Sequence, residues 1–368
     1  MKILVTGSKG FIGRNLISVL KELDNNDIIE IDRENSVEEL NKALDEAEFI
    51  FHLAGINRPK NEEEFFEGNS GLTKNIVDYL KSNNKNTPIV ITSSIQADLD
   101  NAYGRSKKMA ENYLKEYSLE LSAKVTIYRL PNVFGKWCKP NYNSAIATFC
   151  HNIARDIEIW INDRNIELNL VYIDDVIRCL LNETKKLEEK FSFKEVDIIY
   201  KKTLGYIVDK LKEFKEIRKT SILPNFSDNF LKVLYSTYLS YLPENEFSYH
   251  LDKKIDNRGW LAEIVKSNEF GQIFVSKTKA GITRGNHYHH TKVEKFIVIQ
   301  GKAEVKFRNI NNDNVISYIV EGEDLEVIDI PVGYTHSITN IGKNEVITLF
   351  WANEIFNQEK PDTFWREV

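Results

Sequence analysis

No apolar run in the chain approaches the ~18 residues that a membrane-crossing helix needs. The opening Met1–Gly7 segment meets glycine too soon to serve as a secretory leader, so a cytoplasmic protein with no membrane partner is expected. Cysteine is scarce, three in 368 residues. Cys138, Cys150 and Cys179 share no metal or redox spacing, which excludes a disulfide framework and leaves ordinary reduced thiols. Charge of one sign is missing too: the formal net charge is −6, with Lys and Arg spread along the whole sequence. That distribution gives no basic face for nucleic acid. Internal repeats and long low-complexity tracts are also absent. What remains is 42% apolar and 11% aromatic residues, enough for substantial cores. At ~150 residues per domain the length suggests two domains.

Two textures divide the chain. The first 180 residues alternate strand-like runs (Lys2–Thr6, Asp27–Ile31, Phe49–Leu53, Pro88–Thr92, Lys124–Tyr128) with amphipathic stretches (Phe11–Leu23, Ser36–Ala47, Glu62–Leu80, Tyr103–Leu121). Alternation on this scale predicts βαβ units, and strands with little polar alternation predict a parallel sheet buried on both faces. From about Asp252 the runs become short, β-rich and separated by Gly, Asn and Asp turns, the signature of an all-β sandwich or barrel. Residues 181–250 read as Lys/Glu-rich helices followed by a tyrosine-rich segment, with soft boundaries.

Chemistry-bearing residues fall into two constellations. In the first, Gly7-x-x-Gly10-x-x-Gly13 follows the first strand and opens the first helix. Such glycines permit a tight turn, close approach of a pyrophosphate and close helix–strand packing, with the anion on the helix N-terminus. A bare glycine triplet also fits any tight βα turn; its place here favours nucleotide binding. The second strand ends at Asp32-Arg33. An acid at this point takes ribose hydroxyls and an arginine takes a 2′-phosphate, so Arg33 tips the reading towards NADPH. Small residues after the third strand, in His52-Leu53-Ala54-Gly55, let a cofactor lie flat, while His52 itself reads as a packed structural histidine. Ser93-Ser94 ends the fourth strand, and Tyr103-x-x-x-Lys107 shares one helix face. An ammonium beside a phenol is expected to lower its pKa and make it a usable acid.

The second constellation is Gly281-x5-His287-Tyr288-His289-x4-Glu294-x6-Gly301, followed by Pro331-Val332-Gly333-Tyr334-Thr335-His336-x3-Asn340. Histidines at i and i+2 on a strand face one way. With Glu294 and His336 they form a three-histidine, one-carboxylate set suited to Zn, Fe, Mn or Ni. Zinc is the divalent ion put first.

On these residues, 1 to about 240 resembles an extended short-chain dehydrogenase/reductase of the nucleotide-sugar type. The matching elements are the glycine turn, His52–Gly55, Ser93-Ser94, Tyr103-x-x-x-Lys107 and Arg129–Gly135. The resemblance implies a Rossmann-like doubly wound sheet with NADP(H) held by Gly7, Gly10, Phe11, Ile12, Gly13, Asp32, Arg33, Leu53, Ala54, Gly55, Tyr103 and Lys107. Tyr103 would donate the proton, Lys107 hold the nicotinamide ribose, and Ser94 orient the substrate oxygen. The serine-to-tyrosine gap is shorter than usual in that family, so pocket residues transfer poorly. The second constellation resembles the two signature motifs of a cupin, with the leading glycine of the second motif displaced to Gly322. It implies a jelly-roll barrel holding a metal on His287, His289, Glu294 and His336.

The expected division is therefore 1–245 for the reductase and 246–368 for the cupin. Taken whole, the chain resembles the bifunctional enzymes of UDP-N-acetyl-L-fucosamine synthesis, the CapF type. That resemblance implies C3 epimerisation of a UDP-2-acetamido-2,6-dideoxy-4-hexulose by the cupin, then NADPH reduction at C4 to UDP-2-acetamido-2,6-dideoxy-L-talose. It also implies a homodimer serving capsular polysaccharide or O-antigen assembly. Tyr288, His290, Lys292 and Tyr334 all stand open as the C3 acid/base group. Three other readings compete: a plain 4-ketoreductase with a structural cupin, an iron oxygenase, and a non-catalytic NADP(H) sensor or scaffold.

Overall fold

Strands that are apolar on both faces need cover on both faces, and the computed structural model, which describes residues 1–23, 26–185 and 189–368, supplies it. Six strands pair in the order Asp27–Ile31, Lys2–Thr6, Phe49–His52, Ile89–Ser94, Val125–Leu130 and Phe191–Lys194, every pair parallel. Their side chains alternate between two cores. Leu4, Ile50, Ile89 and Ile91 meet Leu40 and Leu44, Ile76 and Leu80, and Leu114, from three helices on one face. Ile3, Val5, Phe51 and Val90 meet Leu16, Leu20, Val176 and Leu180 from the Phe11–Glu22 and Ile173–Lys185 helices on the other. The five expected strands are all present. The edge strand Phe191–Lys194 and a small sheet of Asn132–Phe134, Glu167–Tyr172 and Tyr200–Thr203 are additional. Short polar strands such as Tyr-Lys-Lys-Thr carry no hydrophobic period to announce them.

The stretch expected as one helix over Glu62–Leu80 is interrupted. A π-turn at Phe66–Gly71 separates Glu63–Phe65 from the Leu72–Ser82 helix. The cause is visible in Asn69, which bridges to the Ile56 N–H (2.8 Å), the Ile56 carbonyl (3.2 Å) and Ser106 Oγ (3.0 Å). Such bulges recur where a side chain must be turned towards a site.

The helix carrying Tyr103 and Lys107 spans Ala102–Leu121. It starts sharply because the Asn101 side chain accepts the Gly104 N–H at 2.7 Å. It ends at Ser122 in the left-handed region, φ 54. Near its far end the buried Tyr117 hydroxyl donates to the carbonyls of Lys85 and Thr87 at 3.0 and 2.9 Å, tying the helix to the loop before the fourth strand.

Beyond Glu244 the chain is antiparallel. One sheet runs Lys253–Asp256, Gly259–Ser267, Gly271–Thr278, Val346–Ala352, Glu294–Gln300, Val327–Ile330; the other runs Val315–Glu321, Lys302–Asn309, Tyr334–Asn340, Thr283–Tyr288, Phe364–Trp365. Their inner faces share one core, with Phe296, Ile330 and Phe350 from the first and Val305, Phe307 and Ile338 from the second. This is a jelly-roll-like sandwich. By its packing the chain divides into two compact units, Met1–Lys212 with Val233–Pro243 and Glu213–Lys232 with Glu244–Val368. Residues 213–232 join the second unit, where the backbone around Ser221–Leu223 bonds Lys266 on both sides at 2.7 and 2.8 Å. Among the described residues no helix is long and apolar enough to cross a membrane.

Replacing Tyr117 by Phe leaves two carbonyls without their donor. We expect Tyr117→Phe to cost ~1–3 kcal/mol, read as a lower denaturant midpoint for the first unit at unchanged slope.

Candidate active site and candidate metal centre

The glycine turn is built as its spacing demands. Gly7 has φ +69, and a Cβ there would lie 2.7 Å from the Ala54 backbone. At Gly13 a Cβ would meet the Gly7 carbonyl at 2.2 Å, so the helix sits against the strand only with glycine at that position. Gly10 is the N-cap of the Phe11–Glu22 helix and offers no side-chain cap, which leaves first-turn N–H groups free for an anion. A cavity of about 1010 Å³ opens here, within the first unit. Gly10, Phe11, Ile12, Gly13, Leu53 and Gly55 line it, and so do Ser94, Tyr103 and Lys107. Gly7, Ala54, Asp32 and Arg33 are not part of its lining. Asp32 has its carboxylate on the backbone N–H groups of Lys9 and Arg33, both at 2.7 Å, and Arg33 is exposed.

Tyr103 stacks at a tilt on Phe65 with ring centroids 5.5 Å apart, and the Lys107 Nζ lies 5.9 Å from its ring centre. Burial raises the Tyr103 pKa, against a hydrogen bond with Ser94 that lowers it. The expected lowering by Lys107 is not seen. The ammonium faces the ring rather than the hydroxyl and points to the Thr92 carbonyl at 3.4 Å, so burial decides. Lys107 is itself buried, which pushes its pKa down to about 8 against the opposing charge of Glu111. His52 is the packed histidine it was expected to be. It bonds Thr6 Oγ1 (2.7 Å) and Thr73 Oγ1 (2.9 Å), and burial followed by the Lys107 charge lowers its pKa to about 3.

Sequence reasoning missed Glu111, which lies one turn beyond Lys107 and is 2% exposed. Its carboxylate accepts from Ser93 Oγ (2.7 Å) and, bidentately, from Arg129 Nε (2.9 Å) and Nη2 (2.6 Å). Arg129 also holds Asp98 at 2.7 Å. The available signal was the i+4 step from Lys107 on the same helix face.

In the second unit, one ligand atom from each of His287, His289, Glu294 and His336 falls within 4.8 Å of the others. His287 pairs with His336 across adjacent strands, after a bulge at Asn286 that the strand reading did not anticipate. That bulge, with Asn286 at φ 60, re-aims the pair. The set fits a divalent metal. Nε2 of His289 and of His336 are buried with no hydrogen-bond partner, and both point at the same Glu294 oxygen from 3.4 and 3.5 Å. Buried nitrogens left unpaired in this way are costly unless something binds them. Burial, then the neighbouring His336, pushes the His287 pKa down to about 3, so its ring is neutral and able to ligate. Burial would raise Glu294, but His289, His336 and the Lys292 ammonium at 3.1 Å hold it well below the carboxylate range. Of the four acid/base candidates, Tyr288 and His290 turn away, packing on Phe364 with centroids 5.4 and 4.9 Å from it. Lys292 and Tyr334 turn inward, one onto Glu294 and the other onto the core.

These features define a nicotinamide-dependent class of nucleotide-sugar enzymes, and the comparisons agree. The chain belongs to the NAD dependent epimerase/dehydratase family, matched over residues 3–198, and residues 254–364 match the polysaccharide biosynthesis C-terminal domain. Over its whole length it is of the CapF type. It is 45% identical to UDP-2-acetamido-2,6-beta-L-arabino-hexul-4-ose reductase of Pseudomonas aeruginosa, over 99% of this chain and 98% of that one. It superposes on the crystal structure of the capsular polysaccharide assembling protein CapF of Staphylococcus aureus with TM-score 0.93 at 48% identity, covering 100% of both chains. UDP-glucuronic acid 4-epimerase of Bacillus cereus in complex with NAD shares the fold alone, with TM-score 0.53 and 19% identity over 58% of this chain and 84% of that one.

Removing the charge of Glu111 takes away the one influence that raises the Lys107 pKa. The Glu111→Gln protein should therefore show a Lys107 pKa below the wild-type value of about 8. NMR titration of the lysine ε-position measures it, and a rise or no change would contradict the assignment.

Proposed function

We propose that this chain is a bifunctional nucleotide-sugar enzyme acting on a UDP-2-acetamido-2,6-dideoxy-4-hexulose. On this reading 246–368 epimerises C3 and 1–245 then reduces the C4 ketone with NADPH, giving UDP-2-acetamido-2,6-dideoxy-L-talose for capsular polysaccharide or O-antigen assembly in the cytoplasm. The observation that carries the reduction is that Ser94, Tyr103 and Lys107 line the same cavity as the uncapped helix start at Gly10. The full-length relation to a 4-hexulose reductase supports it.

A nicotinamide cofactor supplies the hydride. The chain's part is to orient and to protonate: Ser94 hydrogen-bonds the substrate oxygen, Tyr103 gives its proton to the alkoxide, and Lys107 steadies the ribose. Arg33 favours the 2′-phosphate of NADPH. In the second unit a divalent metal, zinc first among candidates, supplies positive charge beside an oxygen that becomes negative when C3 loses its proton. His287, His289, Glu294 and His336 would hold it, and Lys292 and Tyr334 are the inward-facing groups available to the C3 proton. A homodimer is part of the same reading. The edge strand Val315–Glu321, with Val315, Ile316, Tyr318 and Ile319 all 44% or more exposed, is a surface that suits it.

The test is NADPH oxidation with the 4-keto sugar in deuterated water. Wild type should consume NADPH and place deuterium at C3, and His287→Ala should incorporate none. Equal reduction by both proteins with no label at C3 would reduce the reading to a plain ketoreductase. Tyr103→Phe, lacking the acid, should lose ~10²–10⁴-fold in kcat.

A further inference from the structure

Residues 362–368 form a strap that contacts His287 and His289 directly and reaches His336 and Glu294 through their neighbours Thr335 and Lys292, and nothing in the ligand spacing foretells it. Phe364–Trp365 pairs with the strand that carries His287, in register His287↔Trp365 and Tyr288↔Phe364. Arg366 N–H bonds the Asn286 carbonyl at 2.9 Å, and its own carbonyl accepts the Thr335 hydroxyl beside His336. Thr363 Oγ1 accepts from Lys292 Nζ at 3.3 Å, the same ammonium that pairs with Glu294.

Asp362 makes the densest set of bonds in the strap. Its carboxylate takes the backbone N–H groups of His290 (2.9 Å), Thr291 (2.7 Å) and Lys292 (2.8 Å), and the Thr291 hydroxyl (2.8 Å). These donors span the turn that joins His289 to Glu294. Its backbone carbonyl faces Nδ1 of His289. A carbonyl can only accept, so it keeps the proton on Nδ1 and leaves the Nε2 lone pair directed into the cluster. Nε2 of His289 is one of the two buried nitrogens without a partner.

We infer that Asp362 is a positioning residue for the metal centre: its carboxylate fixes the turn between His289 and Glu294 and thereby holds its own carbonyl against His289 Nδ1, so that the strap 362–368 retains the ion. This rests on the reading of the cluster as a metal site. It differs from that reading in assigning retention to residues that do not touch the ion. Outer partners of this kind are worth ~10–100-fold in metal affinity.

The full chain, loaded with zinc or with cobalt(II), tests it. Metal per chain and release half-life into excess chelator are measured for wild type, Asp362→Ala and Asp362→Asn. Cobalt bands report the ligand geometry, and NADPH affinity reports the other unit. The expected result is release ~10–100-fold faster from Asp362→Ala, with altered cobalt bands and unchanged NADPH affinity. Asp362→Asn, which keeps one acceptor oxygen, should fall between, and it carries the test if the alanine variant does not fold. Wild-type retention and spectra in both variants would overturn the inference. A loss of metal that comes only with general unfolding would also overturn it, by making Asp362 a folding element. If wild type itself takes up no metal, the reading of the cluster fails instead.

Discussion

A carboxylate taken out of water must be met by charge or by donors, and both sites are arranged around one that is. Glu111 is 2% exposed and Glu294 7% exposed. An isolated buried carboxylate would cost far more than a domain's net stability. Glu111 is met by the bidentate Arg129 and the Ser93 hydroxyl, and Glu294 by Lys292 and two histidine edges. These compensations place the chemistry. Through Ser93 and the Lys107 helix, Glu111 joins the end of the fourth strand to the group beside Tyr103. Glu294 collects the imidazoles at one point. Removing either carboxylate would strand its partners, which makes each a constraint on the geometry around it.

Much of this was legible in the sequence because it rests on local rules. The glycine turn and the tyrosine–lysine step depend on short spacing along one element and coincide with the elements found, while of the histidine pair only His287 lies on the strand, His289 following its end at Tyr288. The three-layer first unit was legible too. Strands such as Ile3-Leu4-Val5 and Ile89-Val90-Ile91 feed both cores in alternation, which a continuous apolar run announces.

What escaped depends on contacts between residues far apart in sequence. Glu111 and Arg129 are 18 positions apart, and neither looks unusual alone. Asp362 lies 72 positions from His290, in a stretch with no hydrophobic period. The π-turn follows from Asn69 reaching back 13 residues to Ile56, and the bulge at Asn286 from the way two strands pair. The acid/base candidates beside the ligands were separable only once Phe364 was seen to hold Tyr288 and His290 on the outer side.

The one electrostatic expectation that failed is informative about direction. From spacing alone, Lys107 should have lowered the Tyr103 pKa; burial raises it instead. A base that removes a proton from an alcohol gains from a lowered value. An acid must hold its proton until negative charge develops beside it, and a pKa raised above the working pH keeps the proton in place while making its transfer harder. A half-buried phenol with a raised pKa, hydrogen-bonded to Ser94, rests in the protonated form. Lys107, with its pKa pushed down to about 8, still carries its charge at neutral pH. The pair therefore rests as a neutral phenol beside an ammonium, the state in which the phenol has a proton to give.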